Sequence, residues 1–243
     1  MNTLVGLEGR ARAYAALGDP SRLGIIDQLA HDDLASGELA ARLSLPTNLI
    51  AHHLRVLEEA GLIRRARSEG DARRTYVSRT RACRELLGDG RLARPHKVAF
   101  VCTQNSARSQ LAESYWRSVS DIPVVSGGTH PATRVHPRAV TVARRHGLDL
   151  SAARPRLAAD VLTGDELTIA VCDRAYEDLG SQPLHWSIPD PALAQGPDAM
   201  DAFEGAYDEI ADRIARLVAS YPAQGASLSP HDSRWPGQSH ASD

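Results

Sequence analysis

Of the three cysteines in this 243-residue chain, one opens a run dense in chemistry: Cys102-Thr103-Gln104-Asn105-Ser106-Ala107-Arg108-Ser109. A thiol and a guanidinium at the two ends of a short polar loop suit the capture of a tetrahedral oxyanion. If the loop wraps into a helix N-terminus, the backbone N–H groups of Thr103, Gln104, Asn105, Ser106, Ala107 and Arg108 converge on one point, a natural anion site. Arg108 can grip two oxygens of the guest at once. The same positive surroundings favour the sulfur anion of Cys102, the candidate nucleophile, and Ser109 can donate a hydrogen bond to it. In-line displacement on such a guest also needs a proton for the leaving oxygen. Asp190, inside Ser187-Ile188-Pro189-Asp190-Pro191, is the carboxyl that the chain offers, between the last expected core strand and the final expected helix. A bare Cys-x5-Arg match says little in an arginine-rich chain, so the elements around it decide.

Those elements are legible. Val98-Ala99-Phe100-Val101 reads as a short buried strand that delivers Cys102, and an amphipathic helix is expected over about 106–118. Further strands near 123–127 and 167–171 alternate with helices over 136–147 and 198–221, the last carrying Ile210, Ile214 and Leu217. Such alternation indicates a parallel sheet in a three-layer α/β domain. The N-terminal part is mainly α instead. A helix over 7–17 places Leu7, Ala11, Tyr14 and Ala15 at helical spacing, and Asp19-Pro20 caps another that runs through Ile25, Ile26 and Leu29. A short helix over 37–43 turns into one over 46–60, where Ile50, Leu54 and Leu57 form a core stripe before Gly61 ends it. Runs at 62–67 and 73–78 flank a Gly-containing turn and suggest a β-hairpin, followed by a short helix near 81–87. Helix-turn-helix plus basic hairpin is the pattern of a winged helix. The expected division is a winged helix-turn-helix DNA-binding domain over 1–88, a linker over 89–95, the α/β domain over 96–221 and a disordered tail over 222–243.

The net charge of −2 hides an asymmetry, because residues 1–95 carry 15 arginines against 12 acidic residues while the remainder is net acidic. The positive part is the candidate nucleic-acid binder. Thr47, Asn48, His52 and Arg55, on the early exposed face of the 46–60 helix, can reach base edges. Arg64, Arg65, Arg67, Arg73 and Arg74 around the hairpin suit phosphates. The same arginines would also serve as ordinary solvated surface. Neighbouring His52 and His53 point about 100° apart on a helix, which argues against a shared metal ion. Three scattered cysteines fit neither a disulfide framework nor a zinc cluster, and no metal site is expected. No apolar run reaches membrane-spanning length and the start lacks a signal-peptide core, so a cytoplasmic protein with reduced thiols and no membrane association is expected. Cys83 reads as a small core residue.

Two resemblances follow. Leu45 to Arg65, LPTNLIAHHLRVLEEAGLIRR, resembles the ArsR/SmtB family of winged-helix repressors over about residues 8–87. That implies a homodimer on a double-stranded DNA operator, with the 46–60 helix in the major groove. The cysteine pair of arsenite-sensing members has no counterpart in Leu34-Ala35-Ser36-Gly37-Glu38-Leu39. The runs VAFVCTQNSARSQLAE, SGGTHPA, AVCDRAYEDL and HWSIPDPA resemble the low-molecular-weight tyrosine phosphatase fold, specifically its arsenate-reductase branch, over roughly 96–221. The resemblance implies Cys102 as nucleophile, Thr103 to Arg108 as oxyanion loop, Asn105 as its brace and Asp190 as acid. Ser109-Gln110 and Cys172 match the reductases, Cys172 standing where their second cysteine attacks the thiol–arsenate adduct. A buried strand-end cysteine is the plainer alternative. Position 107 is alanine and position 179 is leucine where relatives have further cysteines, and Arg156 falls where a potassium-ligating aspartate is expected beside Glu113 and Ser126.

Together these imply a DNA-binding regulator that is also a thiol-dependent arsenate reductase, binding arsenate or phosphate. No tightly bound cofactor is expected, but an external reductant is: mycothiol, glutathione or a thioredoxin-type redox partner. Tyrosine phosphatase activity is one alternative, for which Tyr176 and Trp186 are the candidate ring-holding aromatics. A non-enzymatic regulator that senses oxyanions is the other.

Overall fold

The computed structural model describes residues 6–180 and 183–222, so the expected tail beyond 222 lies outside the described residues. The chain forms two compact units. One takes in the described residues of Met1–Ala66, Thr75–Arg94 and Ser220–Asp243; the other takes in Arg67–Arg74 and Pro95–Ala219.

The first unit runs α1 (Leu7–Leu17), α2 (Pro20–Gln28), β1 (Leu34–Ala35), α3 (Ser36–Leu43), α4 (Thr47–Glu59), β2 (Ile63–Arg67), β3 (Thr75–Arg79) and α5 (Arg81–Leu87). Local chemistry sets the helix starts. The Asp19 carboxylate accepts from Arg22 N–H at 3.0 Å beside Pro20, and Thr80 Oγ1 accepts from Cys83 N–H at 3.1 Å. Ser44, at φ 52°, turns α3 into α4, and Gly61, at φ 72°, ends α4. Ile50, Leu54 and Leu57 are fully buried with Ile25, Ile26, Leu34, Leu39 and Val77. The strands form a sheet of order β1-β3-β2. Cys83 is buried in this core and its thiol is pushed up to about 11 by burial.

The helix expected over 7–17 is α1; Leu7, Ala11, Tyr14 and Ala15 are exposed on it, and it packs through Gly9, Ala13 and Ala16. Small residues let the helix approach closely where the large ones would hold it off. The segment read as a linker over 89–95 is tied down at its start, since Asp89 pairs with buried Arg79 at 3.3 Å and Gly90 O lies 3.3 Å from His31 Nε2.

The second unit contains β4 (Val98–Cys102), α6 (Arg108–Val119), β5 (Val124–Gly128), α7 (Pro137–Arg145), α8 (Ala158–Val161), β6 (Leu167–Ala170), α9 (Asp173–Leu179), β7 (Leu184–His185) and α10 (Ala199–Ser220). Its sheet has order β5-β4-β6-β7 with every pairing parallel, flanked by helices. Strand β4 is buried along its whole length, as its unbroken apolar run requires at the centre of such a sheet. Phe100 packs there between Trp116 and Trp186, at ring-centroid distances of 5.7 and 5.9 Å. Ligands of open parallel sheets bind outside the carboxyl ends of the strands, and Cys102, Gly128 and Cys172 all stand at those ends. Among the described residues, no helix is long and apolar enough to cross a membrane.

Candidate active site

The loop between β4 and α6 is shaped by its outer neighbour. The carbonyls of Cys102, Thr103, Gln104 and Ser106 accept from the N–H groups of Thr129, His130, Ala132 and His136 at 2.7–3.1 Å. In a trans peptide the N–H of the next residue points opposite to the carbonyl. The amides of Thr103, Gln104, Asn105 and Ala107 are therefore turned away from the 129–136 segment, toward the hollow of the loop. The Asn105 N–H makes this explicit, donating to Cys102 Sγ at 3.2 Å. Ser109 Oγ lies 3.0 Å from the same sulfur. Gly128 closes the outer wall: a Cβ there would sit 2.7 Å from Thr103 O and 3.0 Å from Asn105 N.

Asn105 holds the loop from inside. Its φ of 48° is left-handed, a conformation asparagine tolerates better than most residues. Its amide Nδ2 donates to Ser109 Oγ at 2.8 Å and Ser126 Oγ at 2.9 Å. Its Oδ1 accepts from Gln110 Nε2 at 3.0 Å and Arg156 N–H at 2.9 Å. All four hydrogen-bonding positions of a fully buried amide are thereby filled. The chain continues outward: Ser126 Oγ donates to Glu113, and Glu113 pairs with the Arg156 guanidinium at 3.1 Å. Arg156 thus brings its own positive charge to the Glu113 and Ser126 pair.

Arg108 is buried at the start of α6. Its Nη2 lies 3.0 Å from Asp190 Oδ2, and its Nη1 donates to Ile188 O at 2.7 Å and Glu69 Oε2 at 3.4 Å. Burial works against its charge, but the sulfurs of Cys172 and Cys102 and the carboxylates of Asp190 and Glu69 raise its pKa above the ordinary value. Asp190 is part of a turn, where its Oδ1 accepts from Ala192 N–H at 3.1 Å. Cys172 precedes α9, buried, with Thr103 Oγ1 3.5 Å from its sulfur. Burial pushes the Cys172 thiol up; Arg108 opposes this and Cys102 adds to it. Contacts therefore link Arg108 to Asp190, Ser109 to the Cys102 sulfur, and the loop residue Thr103 to the Cys172 sulfur. The three described cysteines are free thiols.

A family model described as low molecular weight phosphotyrosine protein phosphatase matches residues 97–227, more than half of the chain. The chain belongs to this family. Among curated relatives, the arsenate reductase of Bacillus licheniformis is 33% identical over 131 residues, covering 50% of this chain and 94% of its own length. That of Bacillus subtilis is 31% identical over 131 residues, with the same coverage of 50% and 94%. A solved arsenate reductase in the phosphate binding state shares 26% identity over 51% of this chain and 96% of that one, with a TM-score of 0.43. A helix-turn-helix domain model matches residues 17–66. This phosphatase-family chain therefore carries a second module ahead of the one that defines the family.

In that first module Thr47, Asn48, His52 and Arg55 are exposed on α4, while His53 is buried. Of the hairpin arginines, Arg65 pairs with Glu58 at 3.0 Å in this module, while in the 67–74 segment of the second unit Arg73 pairs with Asp71 at 2.9 Å and Arg74 lies over the Tyr176 ring at 5.9 Å. Tyr176 and Trp186, the candidate ring-holding aromatics, are instead core residues, 1% and 2% exposed. Sequence reasoning missed Glu69, whose carboxylate receives the Asp190 N–H at 2.9 Å on both oxygens. It also missed the buried pair of Asp173 and His185, 2.9 Å apart. Burial works to raise the Asp173 carboxyl, but hydrogen bonds from His185, Glu69 N–H and Ser187 outweigh it and hold the group below its usual range. No spacing signal announces either. Among the described residues, no group of three or more His, Cys, Asp or Glu side chains is placed to hold a metal ion.

Proposed function

We propose that the second unit reduces arsenate to arsenite at Cys102 and that the first unit binds operator DNA, as one cytoplasmic, homodimeric, bifunctional regulator. The Cys102 thiolate attacks arsenic; an S–As bond forms, an As–O bond breaks, and the oxygen leaves as water with a proton from Asp190. The loop amides and Arg108 hold the remaining oxygens. A second thiolate then attacks the Cys102 sulfur. An S–S bond forms, the S–As bond breaks, and its electron pair reduces As(V) to As(III), released as arsenite. Cys172 supplies that thiolate, or a small thiol such as mycothiol or glutathione does. An external thiol or thioredoxin-type partner returns the disulfide to thiols. The observation that supports this reading is the second buried sulfur, Cys172, 3.5 Å from the hydroxyl of the loop residue Thr103, which a redox exchange uses and phosphoester hydrolysis does not.

Arsenate turnover by the full chain with thioredoxin, glutaredoxin–glutathione and mycothiol systems tests it. Cys102→Ser is expected to abolish arsenite production; full retention would sink the assignment. Cys172→Ser is expected to stop the dithiol route and to stay active only where a small thiol resolves the adduct. Because Cys172 is held protonated above its ordinary value, its attack should quicken as pH rises from neutral. Family membership favours phosphatase activity as a second reading. Aryl phosphate hydrolysis faster than arsenate reduction would establish it, although both candidate aromatics are buried.

A further inference from the structure

The Arg108 guanidinium, buried at the start of α6, is already engaged. Its partners are Ile188 O, Asp190 and Glu69. Glu69 is the unexpected one. It belongs to Arg67–Arg74, a segment that is compact with the second unit, and both its carboxylate oxygens face the Asp190 N–H at 2.9 Å while one reaches Arg108 at 3.4 Å. A backbone amide and a guanidinium are the donors that a tetrahedral oxyanion seeks.

The segment is fixed in this place by more than Glu69. The Glu69 N–H donates to Asp173 Oδ2 at 2.8 Å, Ser68 Oγ donates to Glu177 at 2.7 Å and the Asp71 N–H donates to Glu177 at 2.8 Å. The backbone lies so close to α9 that a Cβ on Gly70 would meet Glu177 Oε2 at 2.1 Å and Arg174 Cα at 3.1 Å. Residue 69 is thus held at the site by its neighbours, with its side chain 32% exposed at the rim.

We infer that Glu69 is a built-in competitor of the substrate anion. The proposal rests on the oxyanion-site reading above and adds a regulator to it. An entering phosphate or arsenate must take Arg108 donors that Glu69 and Asp190 now share, and it adds negative charge beside two carboxylates. Glu69 therefore raises the anion concentration at which the loop fills. Reciprocally, a filled loop weakens the hold of the site on residues 67–74.

Calorimetric titration of the reduced full chain with inorganic phosphate tests this, comparing wild type with Glu69→Gln and Glu69→Ser. Glu69→Gln keeps the size and removes the charge; Glu69→Ser guards against a fault peculiar to one replacement. Competition predicts tighter phosphate binding in both, by about tenfold at low ionic strength and less in salt. If Glu69 merely braced Asp190 and Arg108, both variants would bind phosphate more weakly. Equal affinity, weaker affinity or no phosphate binding in any of the three proteins overturns the inference. Because no turnover is involved, loss of the reductase assignment with the tightening intact would leave the competitor standing on its own.

Discussion

At the scale of single residues, the loop depends on Asn105 more than on any residue that faces the guest. Its side chain joins the hydroxyls of Ser109 and Ser126 to the backbone of residue 156. Ser109 can donate its own hydrogen to the Cys102 sulfur because the asparagine amide already occupies its oxygen. Backbone and side-chain roles separate cleanly here. Asn105→Gly suits the positive φ yet deletes the amide, so that Ser109 Oγ, Ser126 Oγ, Gln110 Nε2 and the Arg156 N–H each lose one partner. Thermal or urea unfolding should show a loss of about 2–4 kcal/mol despite the relieved backbone, and arsenate turnover should fall with it. A variant as stable and active as wild type would mean that the left-handed turn, not the hydrogen-bond network, shapes the loop.

At the scale of elements, what could be read in advance follows the reach of the signal. Val98–Val101, the Cys102 loop and the start of α6 were legible because strand, loop and helix are contiguous, each with its own period. The α4 stripe of Ile50, Leu54 and Leu57 was legible for the same reason. Elements α8, α9 and β7, of four, seven and two residues, are too short to show a period. The helical spacing of Leu7 and Tyr14 showed the helix α1 but not its buried face, and both lie in solvent. The outer wall of the active loop was invisible, since carbonyls 102–106 find their donors at 129–136, across a gap no local pattern spans. Gly128 marks that wall. Gly128→Ala would press a methyl against Thr103 O and the Asn105 backbone, and neither can swing aside as a side-chain tip would. Circular dichroism melts should show destabilisation by about 2–3 kcal/mol, with arsenate turnover lost alongside. Ala at 128 without either effect would show that the loop yields where the contacts say it is rigid.

At the scale of the whole molecule, the charge asymmetry assigns different physics to different residues. Thr47 and Asn48 are exposed and uncharged at the start of α4, and in the proposed DNA complex they would add discrimination among bases. Arg73 is charged, 90% exposed and paired with a neighbour two residues away, Asp71, whose carboxyl it holds down at about 2. Asp71 therefore stays ionised through any ordinary buffer, and a DNA phosphate must displace a permanent local rival. The exchange still releases counterions from the DNA. Binding of a duplex carrying the operator, followed by fluorescence anisotropy across a salt series, should weaken as salt rises. Arg73→Ala should lower affinity alike on all sequences and flatten the log–log slope by about one. Asn48→Ala should leave the slope unchanged while altering the preference among sequences. If Arg73→Ala leaves the slope intact, Arg73 stays with Asp71 in the complex and other residues carry the contact with DNA phosphates.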